Sequence, residues 1–346
     1  MTIVRRQSGV KLAVGVDVGN TKTIAAACDL AGELRGVGRG GCGNWEELGE
    51  EGSAQVITDV IGQALDAAGA RREDVLHAHM GMAGVDWPDD EPRMREALTS
   101  AGWACGLTLE NDSFLTVRAG APEGHGIGVT AGTGICAAMV RPDGEKYFYG
   151  GFTDLGGGIA TGTQAFQAVI RAEDGRGRPT ALTAALLRVT GQESVQDLVY
   201  DVHRRGNYLS GTLLNPALFS IAAEGDAVAV EIVTRFGREL ALCATNLIRR
   251  YGLAEEEIAV VASGSRFVKT GPLLFDVFRR DVLAAAPRAR MILSDQPPVM
   301  GAVRGALAAC MSEPQAVWEA LARSAAEGGW FRREMGEAAE GEGDAE

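Results

Sequence analysis

Leu12-Ala-Val-Gly-Val-Asp17-Val-Gly19-Asn-Thr-Lys-Thr-Ile24-Ala-Ala-Ala-Cys-Asp29 decides how this chain reads. Residues 12–17 and 24–29 are short apolar runs, and 19–23 is a glycine-bearing turn. Two strands joined by so short a turn form an antiparallel hairpin. The turn has the parts a phosphate requires: a glycine that lets the backbone bend, hydroxyl and ammonium donors in Thr21 and Lys22, and no bulk in the way. Asp17, at the strand end, can hold a hydrated Mg²⁺, which keeps most of its waters. A strand follows the turn where a helix would be needed, so this is neither a Walker A loop nor a dinucleotide fingerprint. A hairpin turn serving geometry alone uses the same residue types.

The pattern recurs. Gly126-Ile-Gly-Val-Thr-Ala-Gly132-Thr133-Gly134 is again strand then glycine turn, with 135–140 as the returning strand. Two such hairpins in two halves point to an internal duplication of α/β domains. The paired turns could clamp a polyphosphate from both sides of a cleft. Between and after them, periodicity predicts helices over 53–69, 91–101, 271–286 and 298–311 and strands over 75–81 and 258–263, with 180–250 mainly helical. The domains are expected at 10–118 and 119–312, with a terminal helix and acidic disordered tail over 313–346.

Two further segments carry polar chemistry. Leu109-Glu110-Asn111-Asp112-Ser113 follows a short strand. There Asp112 could accept a proton from an attacking hydroxyl, or Asp112 or Ser113 could cap the next helix. Val260-Val-Ala-Ser-Gly264-Ser265 is a strand running into a small-residue turn, on which a flat adenine could lie or which could simply join strand to helix.

Composition narrows the classes. The 346 residues suggest about two domains, and 46% hydrophobic with 23% charged residues excludes bulk disorder. A net charge of −13 without a Lys/Arg cluster argues against a nucleic-acid partner. No apolar run reaches membrane-spanning length. The six cysteines have neither zinc nor disulfide spacing, so a reduced, cytoplasmic protein is expected. His77, His79, His125 and His203 show no metal spacing.

The four segments, in this order, resemble the actin/heat-shock ATPase/sugar-kinase superfamily. More narrowly, the chain is similar to eukaryote-type N-acetylglucosamine kinases and the BadF/BadG/BcrA/BcrD ATPases. Supporting segments are Gly81-Met-Ala-Gly-Val-Asp86-Trp-Pro-Asp-Asp90, Ala222-Ala-Glu-Gly-Asp226, Val261-Ala-Ser-Gly-Ser-Arg266-Phe267 and Pro298-Val-Met-Gly301-Ala302. The resemblance implies two ribonuclease-H-like (actin-like) α/β domains with an interdomain cleft. It implies ATP and Mg²⁺ as cofactors, a sugar or amino-sugar substrate, and a homodimer. Asp17, Gly19, Asn20, Thr21, Lys22 and Thr23 match the phosphate-1 loop, with Asp17 near the metal. Gly132, Thr133 and Gly134 match phosphate-2. Gly264 and Ser265 match the adenosine motif, with a Gly301-Ala302 turn expected nearby. Asp112 matches the general base, and Asn44 and Trp45, in Gly41-Cys-Gly-Asn44-Trp45, match the sugar-contacting segment. The family continues with G-G-W-G-x-x-x-G-D-E-G-S. This chain keeps the opening through Gly151 but has Gly157-Gly158 where the acidic pair stands, which leaves the sugar open. Asp154 is the carboxylate expected to reach that space.

An ATP-dependent kinase of a sugar or amino-sugar hydroxyl is therefore expected. The alternatives are an ATPase that activates a partner enzyme through an iron–sulfur cluster, for which Cys136 would be the ligand to examine, and a non-catalytic nucleotide- or sugar-binding regulator.

Overall fold

A computed structural model describes residues 10–132, 134–149, 157–204 and 211–331. In chain order the elements begin with β1 (Leu12–Val18), β2 (Thr23–Asp29), β3 (Leu34–Gly40), α1 (Trp45–Ala68), β4 (Val75–Met82), α2 (Asp90–Ser100), β5 (Gly106–Asn111) and α3 (Ser113–Gly120). There follow β6 (Gly126–Ala131), β7 (Ile135–Val140), β8 (Lys146–Phe148), α4 (Gly157–Glu173), α5 (Leu182–Thr190), α6 (Val195–Arg204), α7 (Gly211–Ala223) and α8 (Ala227–Arg250). The last are β9 (Ala259–Ser263), α9 (Ser265–Lys269), α10 (Pro272–Ala285), β10 (Arg290–Ser294), α11 (Pro298–Cys310) and α12 (Trp318–Glu327).

These elements form two compact units. Of the described residues, the first takes 10–125, Val140–Glu145 and 295–331, and the second takes those within Gly126–Met139 and Lys146–Ser294. The first has a five-stranded sheet of order β3-β2-β1-β4-β5. There β1 and β2 pair antiparallel from Leu12↔Asp29 to Val18↔Thr23, β2 and β3 also pair antiparallel, and β4 and β5 extend the sheet in parallel. The second sheet has the order β8-β7-β6-β9-β10, with β6, β9 and β10 parallel. Counted within each unit, both orders are 3-2-1-4-5, the ribonuclease-H-like arrangement, so the duplicated hairpin marks a duplicated fold.

Each unit has its own core. In the first, β1, β4 and α1 bury Leu12, Val14, Val16, Ile57, Val60, Ile61, Ala78, Met80 and Met82. In the second, β6 and β9 are covered by α8 and α10 through Phe236, Leu240, Leu247, Leu274 and Phe278. Among the described residues no helix is long and apolar enough to cross a membrane.

Three differences from the sequence reading have physical causes. The first helix begins at Trp45, well before 53, because Asn44 caps it and it bends at Gly49 (φ 71°) before its apolar face begins. Strand β3, Leu34-Arg-Gly-Val-Gly-Arg-Gly40, is not among the elements expected from the sequence. Its glycines let α1 lie directly on the strand: a Cβ on Gly38 would fall 1.9 Å from the Val60 carbonyl oxygen and one on Gly36 2.1 Å from that of Ala64. Finally, residues 295–331 belong to the first unit, whereas the sequence reading carries the second domain to 312. Val299, Met300, Val303, Ala306 and Leu307 of α11 share a core with Ala13, Ile24, Ala26 and Cys28 of β1 and β2. Gly301-Ala302, expected as a turn, lies inside that helix.

Candidate active site

In the first sheet β1, β4 and β5 are parallel, and β3, antiparallel to β2, runs the same way. Their carboxyl ends therefore share one edge, where sheets of this kind bind ligands. The loops at that edge are bonded to one another. The Gly43 amide donates to the Gly19 carbonyl at 3.0 Å, tying the loop after β3 to the β1–β2 turn. The Ala83 amide donates to Val18 O at 2.8 Å and that of Asp112 to Met82 O at 3.3 Å, drawing in the loops after β4 and β5.

Asn44 is the hub. It is buried. Its Oδ1 accepts from the Glu46 amide at 2.9 Å, capping α1, while its Nδ2 donates to Asn20 Oδ1 at 2.9 Å and to Glu46 Oε2 at 3.3 Å. Trp45 Nε1 donates to the Gly84 carbonyl at 2.6 Å, and the Arg93 guanidinium lies 4.5 Å above the Trp45 ring. Gly84 has φ +81°, and a Cβ there would sit 2.4 Å from Asn44 Oδ1 and 3.1 Å from Trp45 Nε1. Only glycine combines that backbone with that proximity. The next loop is held by buried Asp90, whose Oδ2 accepts from the Asp86 amide at 2.9 Å and the Trp87 amide at 2.7 Å.

Carboxylates converge here. Asn111 Nδ2 donates to Asp86 Oδ1 at 2.7 Å, and Asn111 Oδ1 accepts from the Ser113 amide at 3.0 Å. Asp112 occupies the cap position of α3, but its side chain makes no capping bond; Asn111 serves the backbone there. The Asp112 carboxyl is pushed up to about 6 by burial first and by the Asp86 charge second, against a bond from the Ser113 backbone. Asp17 is pushed up to about 7 by burial and then by Asp112, with Lys22 pulling the other way. Asp86 is also raised, by burial, then Glu46 and Asp90. Like charges held this close in a partly dry site resist ionising together.

Beneath this edge a buried triad ties the elements together. His79 Nε2 and Arg118 Nε both meet Glu110 Oε1 at 2.7 Å, and Arg118 Nη2 reaches Glu110 Oε2 at 3.1 Å. Burial alone would raise Glu110, but His79 and Arg118 outweigh it and hold the carboxyl well below the usual range.

Of the residues named from sequence, Asp17, Gly19, Asn20, Thr21, Lys22, Asn44, Trp45 and Asp112 gather on this edge. Asn20, Thr21 and Lys22 are exposed at the turn, whereas Thr23 opens β2 fully buried, its hydroxyl under Gly43. The second unit brings Gly132, Gly134, Gly264 and Ser265 together. The Gly132 amide donates to the Gly134 carbonyl at 2.9 Å, and Gly264 (φ +97°) is so close to β6 that a Cβ would fall 2.5 Å from Ala131 O. Thr133, Gly151 and Asp154 lie outside the described residues. The sequence reading does not single out Asp86, Asp90, Glu46 or Asn111 as site residues. Their signal is the Gly-Val-Asp and Asn-Asp pairs at two strand ends, which only the parallel pairing of β4 with β5 brings side by side.

A model of the BadF/BadG/BcrA/BcrD ATPase family matches residues 14–305. The chain is 24% identical over 306 residues to an N-acetylmuramic acid/N-acetylglucosamine kinase of Clostridium acetobutylicum, covering 87% of this chain and 100% of the relative. It is 25% identical over 311 residues to an N-acetyl-D-glucosamine kinase of Dictyostelium discoideum, covering 85% and 97%. A solved structure described as a candidate N-acetylglucosamine kinase from Chromobacterium violaceum superposes with a TM-score of 0.63 at 22% identity, covering 86% of this chain and 99% of that one.

Proposed function

The chain belongs to the BadF/BadG/BcrA/BcrD ATPase family, and from that membership we propose that it is an ATP-dependent kinase that phosphorylates a hydroxyl of a sugar or amino sugar. The names of its relatives and the chemistry of the first unit's edge both support this reading. In it, the acceptor hydroxyl attacks the γ-phosphorus, the bond to the β,γ-bridging oxygen breaks, the proton passes to Asp112, and ADP leaves. Asn44 and Trp45 orient the acceptor. The exposed donors of the Asn20–Lys22 turn contact phosphate, and Gly264 and Ser265 leave room for adenine. Little of the catalysis is covalent; most is positioning and charge neutralisation.

The observation that carries the proposal is Asp112 itself. It is a carboxylate at a strand end, unused as a helix cap and held up to about 6, the property a general base near neutral pH needs. A magnesium ion keeps most of its waters and would need few protein ligands here. Asp17, pushed up to about 7 by burial and by Asp112 against the pull of Lys22, is the residue that would hold it, and the ion would neutralise phosphate charge.

An ADP-release screen across N-acetylated sugars, free amino sugars and plain hexoses tests the proposal. Phosphorylation of at least one of these is expected. Asp112→Asn is expected to abolish transfer while ATP still binds, and near-wild-type transfer by that variant would refute the assignment.

A further inference from the structure

Arg266 follows the Gly264-Ser265 turn in α9 and is only 5% exposed. Its Nε donates to the Gly132 carbonyl at 2.5 Å, joining the two glycine turns of the second unit. Its Nη1 is buried and has no hydrogen-bond partner. No ion pair accompanies it among the described residues, and burial alone acts on its charge, drawing the guanidinium below its usual range. A buried donor left without an acceptor destabilises the folded state, the more so when it is charged. A guanidinium in this position is poor for the stability of the empty protein. It becomes favourable once an anion fills the turn it holds.

We propose that Arg266 is a nucleotide-phosphate ligand, its Nε fixing the Gly132 turn while its Nη1 donates to a phosphate oxygen of the bound nucleotide. The inference rests on the nucleotide reading above. The planar fork lets one side chain brace the protein carbonyl and meet an oxyanion together, which an ammonium cannot do with the same geometry. Nothing in the glycine pattern of the turns calls for an arginine here; it is legible only because the guanidinium bridges residues more than a hundred positions apart.

The test is calorimetric binding of ATP, ADP and adenosine to the full chain, with thermal melts, for wild type, Arg266→Met and Arg266→Lys. Arg266→Met should weaken ATP and ADP by about ten- to a hundredfold, the scale of a charge-assisted hydrogen bond, and leave adenosine within about twofold. Its ligand-free melting temperature should be unchanged or higher, because the substitution removes an uncompensated buried charge. A purely structural strut predicts the reverse: a lower melting temperature with nucleotide affinity retained. ATP affinity within twofold of wild type, or a loss for adenosine as large as for ATP, would overturn the assignment. If the methionine variant does not fold, Arg266→Lys carries the same expectation, and wild-type ATP affinity there would overturn it. Failure of the wild-type chain to bind any of the three ligands would sink the nucleotide reading itself, an outcome distinct from a variant that binds normally.

Discussion

Replacing Gly84 by alanine probes how the candidate site is held together. The backbone at Gly84 has φ +81°, and a left-handed conformation costs an L-residue about 1 kcal/mol or slightly more. The added Cβ would stand 2.4 Å from Asn44 Oδ1, so Asn44 must swing away from the bonds it makes to the Glu46 amide and Asn20. Losing that helix cap costs about 1 kcal/mol, and disturbing the Trp45 Nε1 bond to the Gly84 carbonyl about 1 kcal/mol more. The total is about 3 kcal/mol, falling on the first unit. Gly69 supplies the control: it caps α1 at φ +63°, and a Cβ added there would meet nothing within 4 Å. Gly69→Ala should therefore lose only the backbone share, about 1 kcal/mol. Urea unfolding followed by tryptophan fluorescence measures both variants, and acceptor titration should show a raised KM for Gly84→Ala alone. Equal destabilisation by the two substitutions would refute the contact-based account of how Asn44 and Trp45 are positioned.

Three other perturbations follow from the same geometry. Asp112 is raised by folding, so the native state holds its proton more tightly than the unfolded chain; its stabilising share is present at low pH and is lost as pH rises through about 6. Asp112→Asn should therefore melt higher than wild type at about pH 8, by a shift on the order of 2 kcal/mol, while wild-type transfer activity climbs through about pH 6; a destabilised variant at pH 8 would contradict the crowding of carboxylates. Glu110 is depressed by His79 and Arg118, so its contribution is present above the unfolded carboxylate range and fades as pH falls; Glu110→Gln should cost about 3 kcal/mol at neutral pH and much less in acid, as read by denaturation at both. Gly15→Ala would place a Cβ 2.2 Å from Val303 N and 2.6 Å from Ala302 C in α11, and since backbone cannot yield cheaply it should destabilise by about 2 kcal/mol or more; an unchanged melting temperature would place α11 elsewhere.

Local chemistry made the hairpins legible. A glycine turn between two short apolar runs has few alternatives, and its repetition near Gly132 exposes the duplication without any knowledge of contacts. Asp17 and Asp112 could be named because each lies at a strand end, where the polar group and its signal are in the same few residues; Asn20 and Asn44 were named by the family resemblance. Register and long-range packing were not legible in that way. The glycines of β3 resemble loop residues until α1 lies on them. Helix α11 could be assigned to its nearer neighbour in sequence, yet its apolar face matches β1 and β2, near the other end of the chain. Asp86 joins Asp112 only because β4 and β5 run parallel, and Arg266 reaches Gly132 only because β9 pairs with β6. Sequence alone determined which segments could turn, pair and carry charge. The tertiary structure decided which of those charges share a dry edge, because burial and proximity, the quantities that shift a carboxyl or strand a guanidinium, are properties of residues brought together from distant parts of the chain.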